Sequence, residues 1–402
     1  MRTLTSSKLE APADADHSSR IRVLIVRHAQ STFNVQQRYQ GRSDEPVLTD
    51  SGAAAAVEVG RHLVTERIDA IISSPLRRAR QTTDIIMAVL RQDRQDEPSL
   101  SNSDDLMEVD LPQWEGLPLE AVRRQFPDSH RSWSDRPHEF RMSPEGRSTF
   151  FPVRELFEQA NRFWCDFLQH HAAQTVVLVT HGGTARALIS AAVGIKPERF
   201  HSLQQSNCGI SILEFPGRSS TAQIEALNLT AHLGERMPKL KLGRQGVRIV
   251  MVAGDTPCQH ADHVSGILDA LQVDFVLSAD DPQSKNMANA LVEAHAHAQP
   301  GTFPGNVLFD SQHPETLPLV VPIASSRHPL STGVLVGRHS DLDAMISGVL
   351  RMDGRSSPWK HATNAVLHYP GTSRTLVIQA LNMPVWKEAK EALEPVTAEA
   401  RP

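Results

Sequence analysis

The chain holds 402 residues, 40% of them hydrophobic and 22% charged, which fits a globular protein with room for two domains. A formal net charge of −5 and an aromatic content of 5% exclude a basic, base-stacking surface, so no nucleic-acid partner is expected. No apolar run approaches the roughly 20 residues of a membrane-spanning helix, so no membrane partner is expected either.

Residues 1–19 are polar and read as a solvated tail. Short apolar runs follow at RVLIV (22–26), DAIIS (69–73), TVVLV (175–179) and GISILEF (209–215), each bounded by polar or turn-forming residues. Helical periodicity separates them, as in LRRARQTTDIIMAVL (76–90) and VRELFEQANRFWCDFLQ (153–169). Continuous apolar strands alternating with helices define an α/β layer fold with a mostly parallel sheet. The three cysteines, Cys165, Cys208 and Cys258, form no CxxC motif, which points to a reducing, cytoplasmic setting, and Cys208 reads as buried rather than reactive.

The second half echoes the first. VRIVMVAG (247–254) parallels IRVLIVRH (21–28), and VDFVLSADDP (273–282) parallels IDAIISSPLR (68–77). TGVLVGRHSDLDAMIS (332–347) parallels TVVLVTHGGTARALIS (175–190), and LVIQALN (376–382) parallels AQIEALN (222–228). Four echoes in one order predict a duplicated domain. The expected boundaries are a first domain at 20–228, a linker at 229–246, a second domain at 247–386 and a tail at 387–402. The polar residues are not repeated: Arg27 and His28 become Ala253 and Gly254, Arg78 becomes Gln283, and His181 becomes Arg338. The second domain is therefore expected to be structural or dimerising, which makes a homodimer an expectation.

In parallel α/β sheets, ligands bind beyond the carboxyl ends of the strands. Arg27 and His28 follow one strand, Ser73, Ser74 and Pro75 the next, with Arg77 and Arg78 opening its helix, and His181, Gly182 and Gly183 a third. Guanidinium forks match phosphate oxygens and helix N-termini add N–H donors, so this crevice suits a phosphate. A histidine at such a strand end can attack phosphorus, with nearby cations keeping its ring neutral. Arg27, Arg78 and His181 would hold the equatorial oxygens. The segment LMEVDLPQWEG (106–116) supplies Glu108, Asp110 and Glu115 as candidate proton donors. Arg77 reads as a surface charge, and Gly182 and Gly183 as a tight strand-to-helix turn. The histidine pairs at 170–171 and 295–297 lack partners at metal-ligand spacing, so no metal and no cofactor are expected.

These motifs resemble the histidine phosphatase superfamily, in its phosphoglycerate mutase-like branch. Its signature Arg-His-Gly-(Glu/Gln)-Ser-x-x-Asn stands here as RHAQSTFN, with Ala29 in place of glycine. QGRSDEPVLTDSG (40–52), SSPLRRARQT (73–82), LMEVDLPQWEG and VTHGG (179–183) match further segments in family order. The resemblance implies a three-layer α/β/α phosphoglycerate mutase-like fold, followed by a degenerate second copy. It implies His28 as nucleophile, Glu108 as proton donor and His181 as the second catalytic histidine. Arg27, Asn34 and Arg78 would bind phosphate, and Gln40, Gly41 and Gly182 would contact the substrate. A closer resemblance is to two-domain plant and cyanobacterial relatives of 2-carboxy-D-arabinitol-1-phosphate phosphatase, carried by FPVRELFEQANRFW, LQQSNCGISILEF (203–215) and the second domain.

The activity so implied is a metal-independent phosphomonoesterase that hydrolyses a small phosphorylated metabolite. A sugar phosphate or a carboxylated sugar phosphate such as 2-carboxy-D-arabinitol 1-phosphate would be the substrate. The alternatives are phosphoglycerate mutase-type phosphoryl transfer and a non-catalytic phospho-ligand-binding regulatory module. No extended insertion of the mutase kind follows Glu108. Residues 123–148 read as a cap, whose Arg123, Arg124, Arg136 and Arg147 are candidates for a substrate carboxylate. Trp114 and Trp133 suit either a pocket wall or a core.

Overall fold

The computed structural model describes residues 20–94, 96–218, 221–240, 245–255, 259–269, 271–303, 330–352, 358–360, 363–370 and 376–383. The tails expected at 1–19 and 387–402 lie outside the described residues, as do Cys258 and positions 241–244 of the expected linker.

The first half runs β1 (Ile21–Arg27), α1 (Thr32–Val35), α2 (Asp50–Leu63), β2 (Ala70–Ser73), α3 (Arg77–Asp93), β3 (Ser99–Asn102), α4 (Leu119–Gln125), α5 (Pro127–Asp135), α6 (Pro152–His170), β4 (Thr175–Thr180), α7 (Gly182–Val193), β5 (Ile210–Phe215) and β6 (Gln223–Leu229). The second half runs β7 (Gly246–Ala253), α8 (Gln259–Leu268), β8 (Phe275–Ala279), α9 (Pro282–Ala294), β9 (Gln299–Phe303), β10 (Leu330–Gly337), α10 (His339–Leu350), β11 (Asn364–Tyr369) and β12 (Val377–Met383).

Strands β1 and β4 are apolar without alternation because both faces of the sheet are covered. Val23, Ile25, Val176 and Leu178 pack with α6 and α7 on one face. Leu24, Val26, Val177 and Val179 pack with α2 and α3 on the other. Helix α6 shows how the sequence sets this up. Proline opens it, and Val153, Leu156, Phe157, Ala160, Phe163 and Trp164 recur at helical spacing on its buried side. The result is three layers, α/β/α, as the family resemblance implies.

All twelve strands join one sheet in the order β3-β2-β4-β1-β5-β6-β12-β11-β7-β10-β8-β9. In the first half β3, β2, β4 and β1 run parallel, while β5 pairs antiparallel with both β1 and β6. The strand order of β7–β12, read inward from the far edge, repeats that of β1–β6. The two sets meet where β6 and β12 pair antiparallel at Leu227 and Leu381.

The segment expected as a cap, 123–148, contains α5 and the rings of Trp133 and Phe140. Trp114 is fully buried and packs against Tyr39, Phe140 and Trp133, with ring centroids 5.0, 4.8 and 6.0 Å away. These rings form an aromatic cluster in which Trp114 is a core residue and Trp133 is half-buried at the edge. Two cap arginines are committed to carboxylates: Arg147 lies 2.5 Å from Asp110 and Arg136 2.8 Å from Glu139.

Behind the sheet, the imidazoles of His62 on α2 and His232 stack with centroids 5.3 Å apart. His232 Nε2 donates to the Cys208 carbonyl at 2.9 Å, since a carbonyl can only accept. Burial first, and then the His62 ring, hold His232 down at about 3, and burial lowers His62 as well. The Cys208 thiol is pushed up to about 12 by burial, which leaves it unreactive. A histidine kept neutral by folding takes up a proton only in the unfolded chain below pH ~6.5, so stability rises with pH across that window. Urea melts are expected to weaken steadily from pH 6.5 toward pH 3, with His232 contributing up to about 1.4 kcal/mol per pH unit. The His232→Asn variant should show a visibly flatter profile.

Candidate active site

Strand β1 ends at Arg27 and delivers His28 into the crevice at the carboxyl ends of β1, β2 and β4. The His28 backbone N–H donates to the Thr180 carbonyl at 2.8 Å, which continues the β1–β4 ladder by one residue. Its ring is 1% exposed, and Nδ1 lies 2.8 Å from the Ala29 carbonyl. A carbonyl accepts only, so Nδ1 carries the proton and the lone pair sits on Nε2. Ala29 is fully buried and its backbone lies outside the left-handed region, so the methyl in place of glycine fits without strain. Its N–H donates to Thr82 Oγ1 at 3.0 Å, tying the loop to α3.

Helix α7 begins directly after His181, which stands 5.2 Å from His28 between ring centroids. His181 is fully buried, and its Nε2 lies 2.7 Å from Ser74 Oγ at the end of β2. Burial, followed by the charges of Arg78, His28 and Arg27, holds its pKa well below the ordinary imidazole range. The ring is therefore neutral at pH 7.

Two guanidinium groups complete the crevice. Arg27 donates from Nη1 to the Gln205 carbonyl at 2.8 Å. Arg78, fully buried, donates from Nη1 to Ser43 O and from Nη2 to Gly41 O, both at 2.9 Å. Burial lowers the pKa of Arg27 and brings Arg78 down to about 10, with Glu108 opposing the shift in both cases. Gly41 has φ +50°, and a side chain there would strike Glu115, whose Oε1 accepts from Arg42 N. Burial also raises the Glu115 carboxyl. Arg77, by contrast, is exposed.

Glu108 lies against the start of α7. Its Oε2 accepts from Gly183 N at 3.0 Å, and its Oε1 from Thr184 N at 3.1 Å and Val109 N at 2.9 Å. A carboxylate at a helix N-terminus meets exposed N–H donors and the positive end of the dipole. This adds to the reading of the two glycines. Neither has a positive φ; a Cβ at Gly183 would lie 2.3 Å from Glu108 Oε1, and one at Gly182 would lie 3.2 Å from Arg27 Nε. They stand at a tight strand-to-helix turn, with His181 alone between β4 and α7, and also give close approach to two charged side chains. The Glu108 loop is held by Arg42, whose Nε donates to Glu108 O at 3.1 Å, and by Thr184 and Gln159, which donate to Met107 O.

Asn34 Oδ1 closes a capping box with Ser31 at the start of α1. Gln40 Oε1 accepts from Ser31 Oγ at 2.9 Å. Asn207, which the sequence motifs do not single out, bridges the site: its Nδ2 donates to His28 O at 2.9 Å and to Asn34 Oδ1 at 3.2 Å. Gln205, Ser74 and Arg42 were also missed as supports. All three stand within quoted segments, but their roles depend on contacts with backbone atoms or second neighbours and carry no spacing signal.

Residues 23–230, slightly more than half of the chain, match the model of the histidine phosphatase superfamily (branch 1). The chain belongs to that superfamily. It is 35% identical over 198 residues to a probable 2-carboxy-D-arabinitol-1-phosphatase of Arabidopsis thaliana, covering 49% of this chain and 39% of that protein. It is 35% identical over 213 residues to a 2-carboxy-D-arabinitol-1-phosphatase of Triticum aestivum, covering 52% and 41%. A phosphoserine phosphatase 1 of Hydrogenobacter thermophilus is 31% identical over 222 residues, covering 54% and 95%. The chain thus spans about two fifths of the length of the two plant relatives. Among the described residues, no helix is long and apolar enough to cross a membrane.

The Glu108→Gln variant must turn an amide N–H₂ toward one of the backbone donors that the carboxylate now satisfies. A loss of about 1–3 kcal/mol is expected in urea denaturation. An unchanged midpoint would show that the carboxylate does not hold the loop to α7.

Proposed function

We propose that the protein is a metal-independent phosphomonoesterase acting through a phosphohistidine at His28. The observation that carries this reading is a set of buried nitrogens around one ring. Arg27 Nε, Arg78 Nε and His181 Nδ1 have no hydrogen-bond partner among the described residues. A buried donor left unpaired costs about 1–3 kcal/mol, and three in the crevice shared by His28 and His181 suit the oxygens of a phosphoryl group.

In this mechanism His28 Nε2 attacks phosphorus as the ester P–O bond breaks. Arg27, Arg78, Asn34 and His181 hold the equatorial oxygens, where charge spreads in a loose transition state. Glu108 delivers the proton to the departing alkoxide and, as carboxylate, takes one from the water that then attacks the phosphohistidine. Inorganic phosphate leaves and the His28 lone pair is restored. Gln40, Gly41 and Gly182 border the substrate.

The substrate assigned is a small phosphorylated metabolite, a sugar phosphate or carboxylated sugar phosphate. Support comes from relatives named for 2-carboxy-D-arabinitol 1-phosphate and phosphoserine, both carboxylated phosphate esters. Catalysis is assigned to residues 20–228. Residues 247–386 are read as a second copy without the chemistry, a reading supported by the repeated strand order and by Ala253, Gly254, Gln283 and Arg338 at the echoed positions. The scattered cysteines support a cytoplasmic setting; Cys165 and Cys208 are free thiols.

Hydrolysis of p-nitrophenyl phosphate in excess EDTA tests the reading. Turnover should survive chelation, and an acid-labile phosphoryl adduct should be trapped on the parent but not on His28→Ala, whose rate should fall at least about 10³-fold. Undiminished turnover by His28→Ala would sink it.

A further inference from the structure

The joint between the two halves is built around two asparagines in equivalent settings. Asn228 on β6 and Asn382 on β12 both adopt left-handed backbone, with φ +55° and +56°. Each side chain reaches across the joint. Asn228 Nδ2 donates to Gln379 O at 2.7 Å, and Asn382 Nδ2 donates to Ile224 O at 3.0 Å. Each side-chain oxygen also accepts from a backbone N–H in its own half, four residues before the next strand: Asn228 Oδ1 from Ser206 N at 2.6 Å, and Asn382 Oδ1 from Lys360 N at 2.7 Å.

The two differ in what the held loop does next. On the Asn382 side, Lys360 leads to β11. On the Asn228 side, Ser206 lies between Gln205, whose carbonyl orients Arg27, and Asn207, whose amide holds the His28 carbonyl and Asn34. The next residue, Cys208, donates from its backbone N–H to Arg27 O at 3.0 Å. The same loop is paired directly with the second half. Gln204 N donates to Ile378 O at 2.9 Å and Ile378 N to Ser202 O at 2.7 Å, a parallel bridge centred on Leu203 and Ile378. Gly209 makes room for this, since a Cβ there would lie 2.6 Å from Asn228 Oδ1.

We propose that the second half is a positioning element for the phosphate site, acting from β12 through Gln379 and Asn228 on the Ser202–Cys208 loop that orients Arg27 and His28. It rests on the phosphatase reading above. Asn228 touches no reacting atom. It fixes the backbone whose carbonyls and amides set the two groups that do. A shift of the loop by a fraction of an ångström would misdirect the Arg27 guanidinium and the His28 carbonyl together, and positioning errors of about 1 Å can cost a hundredfold in rate.

The near-symmetry supplies its own control. Asn228→Gly and Asn382→Gly both keep the left-handed backbone and both remove a cross-joint bond and a loop bond, Asn382→Gly removing in addition the bonds from Nδ2 to Pro358 O and from Thr363 Oγ1 to Oδ1. In the full-length protein both should lower the thermal midpoint, Asn382→Gly by at least as much as Asn228→Gly. Only Asn228→Gly should lower kcat/KM for p-nitrophenyl phosphate, by about tenfold, and weaken competitive inhibition by inorganic phosphate. Asn228→Asp retains the acceptor for Ser206 N and removes the donor to Gln379 O. It should stay impaired, because the link from Asn228 to β12 is cut while the Leu203–Ile378 bridge alone remains. Normal turnover and phosphate affinity in Asn228→Gly would overturn the proposal. So would an equal loss in Asn382→Gly, or full activity in Asn228→Asp. A parent protein with no turnover would instead overturn the phosphatase reading, and calorimetric phosphate affinity of the same variants would still decide this one.

Discussion

Two buried guanidinium groups held by carbonyl oxygens, not carboxylates, set the terms for the rest of the site. Arg27 is held by Gln205 O, and Arg78 by Ser43 O and Gly41 O. Neither has a carboxylate within ion-pair distance among the described residues. A carbonyl fixes direction and leaves the charge whole, whereas a carboxylate would neutralise it. The positive field therefore stays available for an anion, at the cost of burial that shows in the lowered pKa of both groups. Glu108 offsets that field from the start of α7 without pairing with either arginine. The backbone of three loops, 41–43, 204–208 and 106–109, thus has to be placed accurately, and most of the hydrogen bonds around the site do that placing.

This explains which parts of the molecule were legible in sequence. Unbroken apolar runs at 23–26 and 176–179 fit strands covered on both faces, and the periodicity of 153–169 fits a helix with one broad buried side. Arg27, His28, Arg78 and His181 were readable because chemistry at strand ends needs those side chains at those places. The supports were not. Gln205 acts through its carbonyl and Asn207 through an amide that reaches back 179 positions to His28 O, so neither leaves a local pattern. Gly183 was visible as a glycine, but its reason, room for Glu108, is a tertiary contact. Trp114 could not be divided between pocket and core until Tyr39, Phe140 and Trp133 closed around it.

The histidines show how burial separates residues of one type. His28 has its tautomer set by a carbonyl and its ring among cations. His181 is kept neutral by burial and by those same cations. His232 has no catalytic neighbour, yet the same exclusion from water holds it at about 3. Exposed His170 at the end of α6 bonds only its own helix, at Asp166 O. What distinguishes them is depth and company, not sequence surroundings.

The antiparallel seam between β6 and β12 has a geometric corollary. Strand direction reverses across it, so β1, β2 and β4 end at one rim of the sheet while β7, β8 and β10 end at the opposite rim. A molecule held at the tips of one set never shares a cleft with the tips of the other.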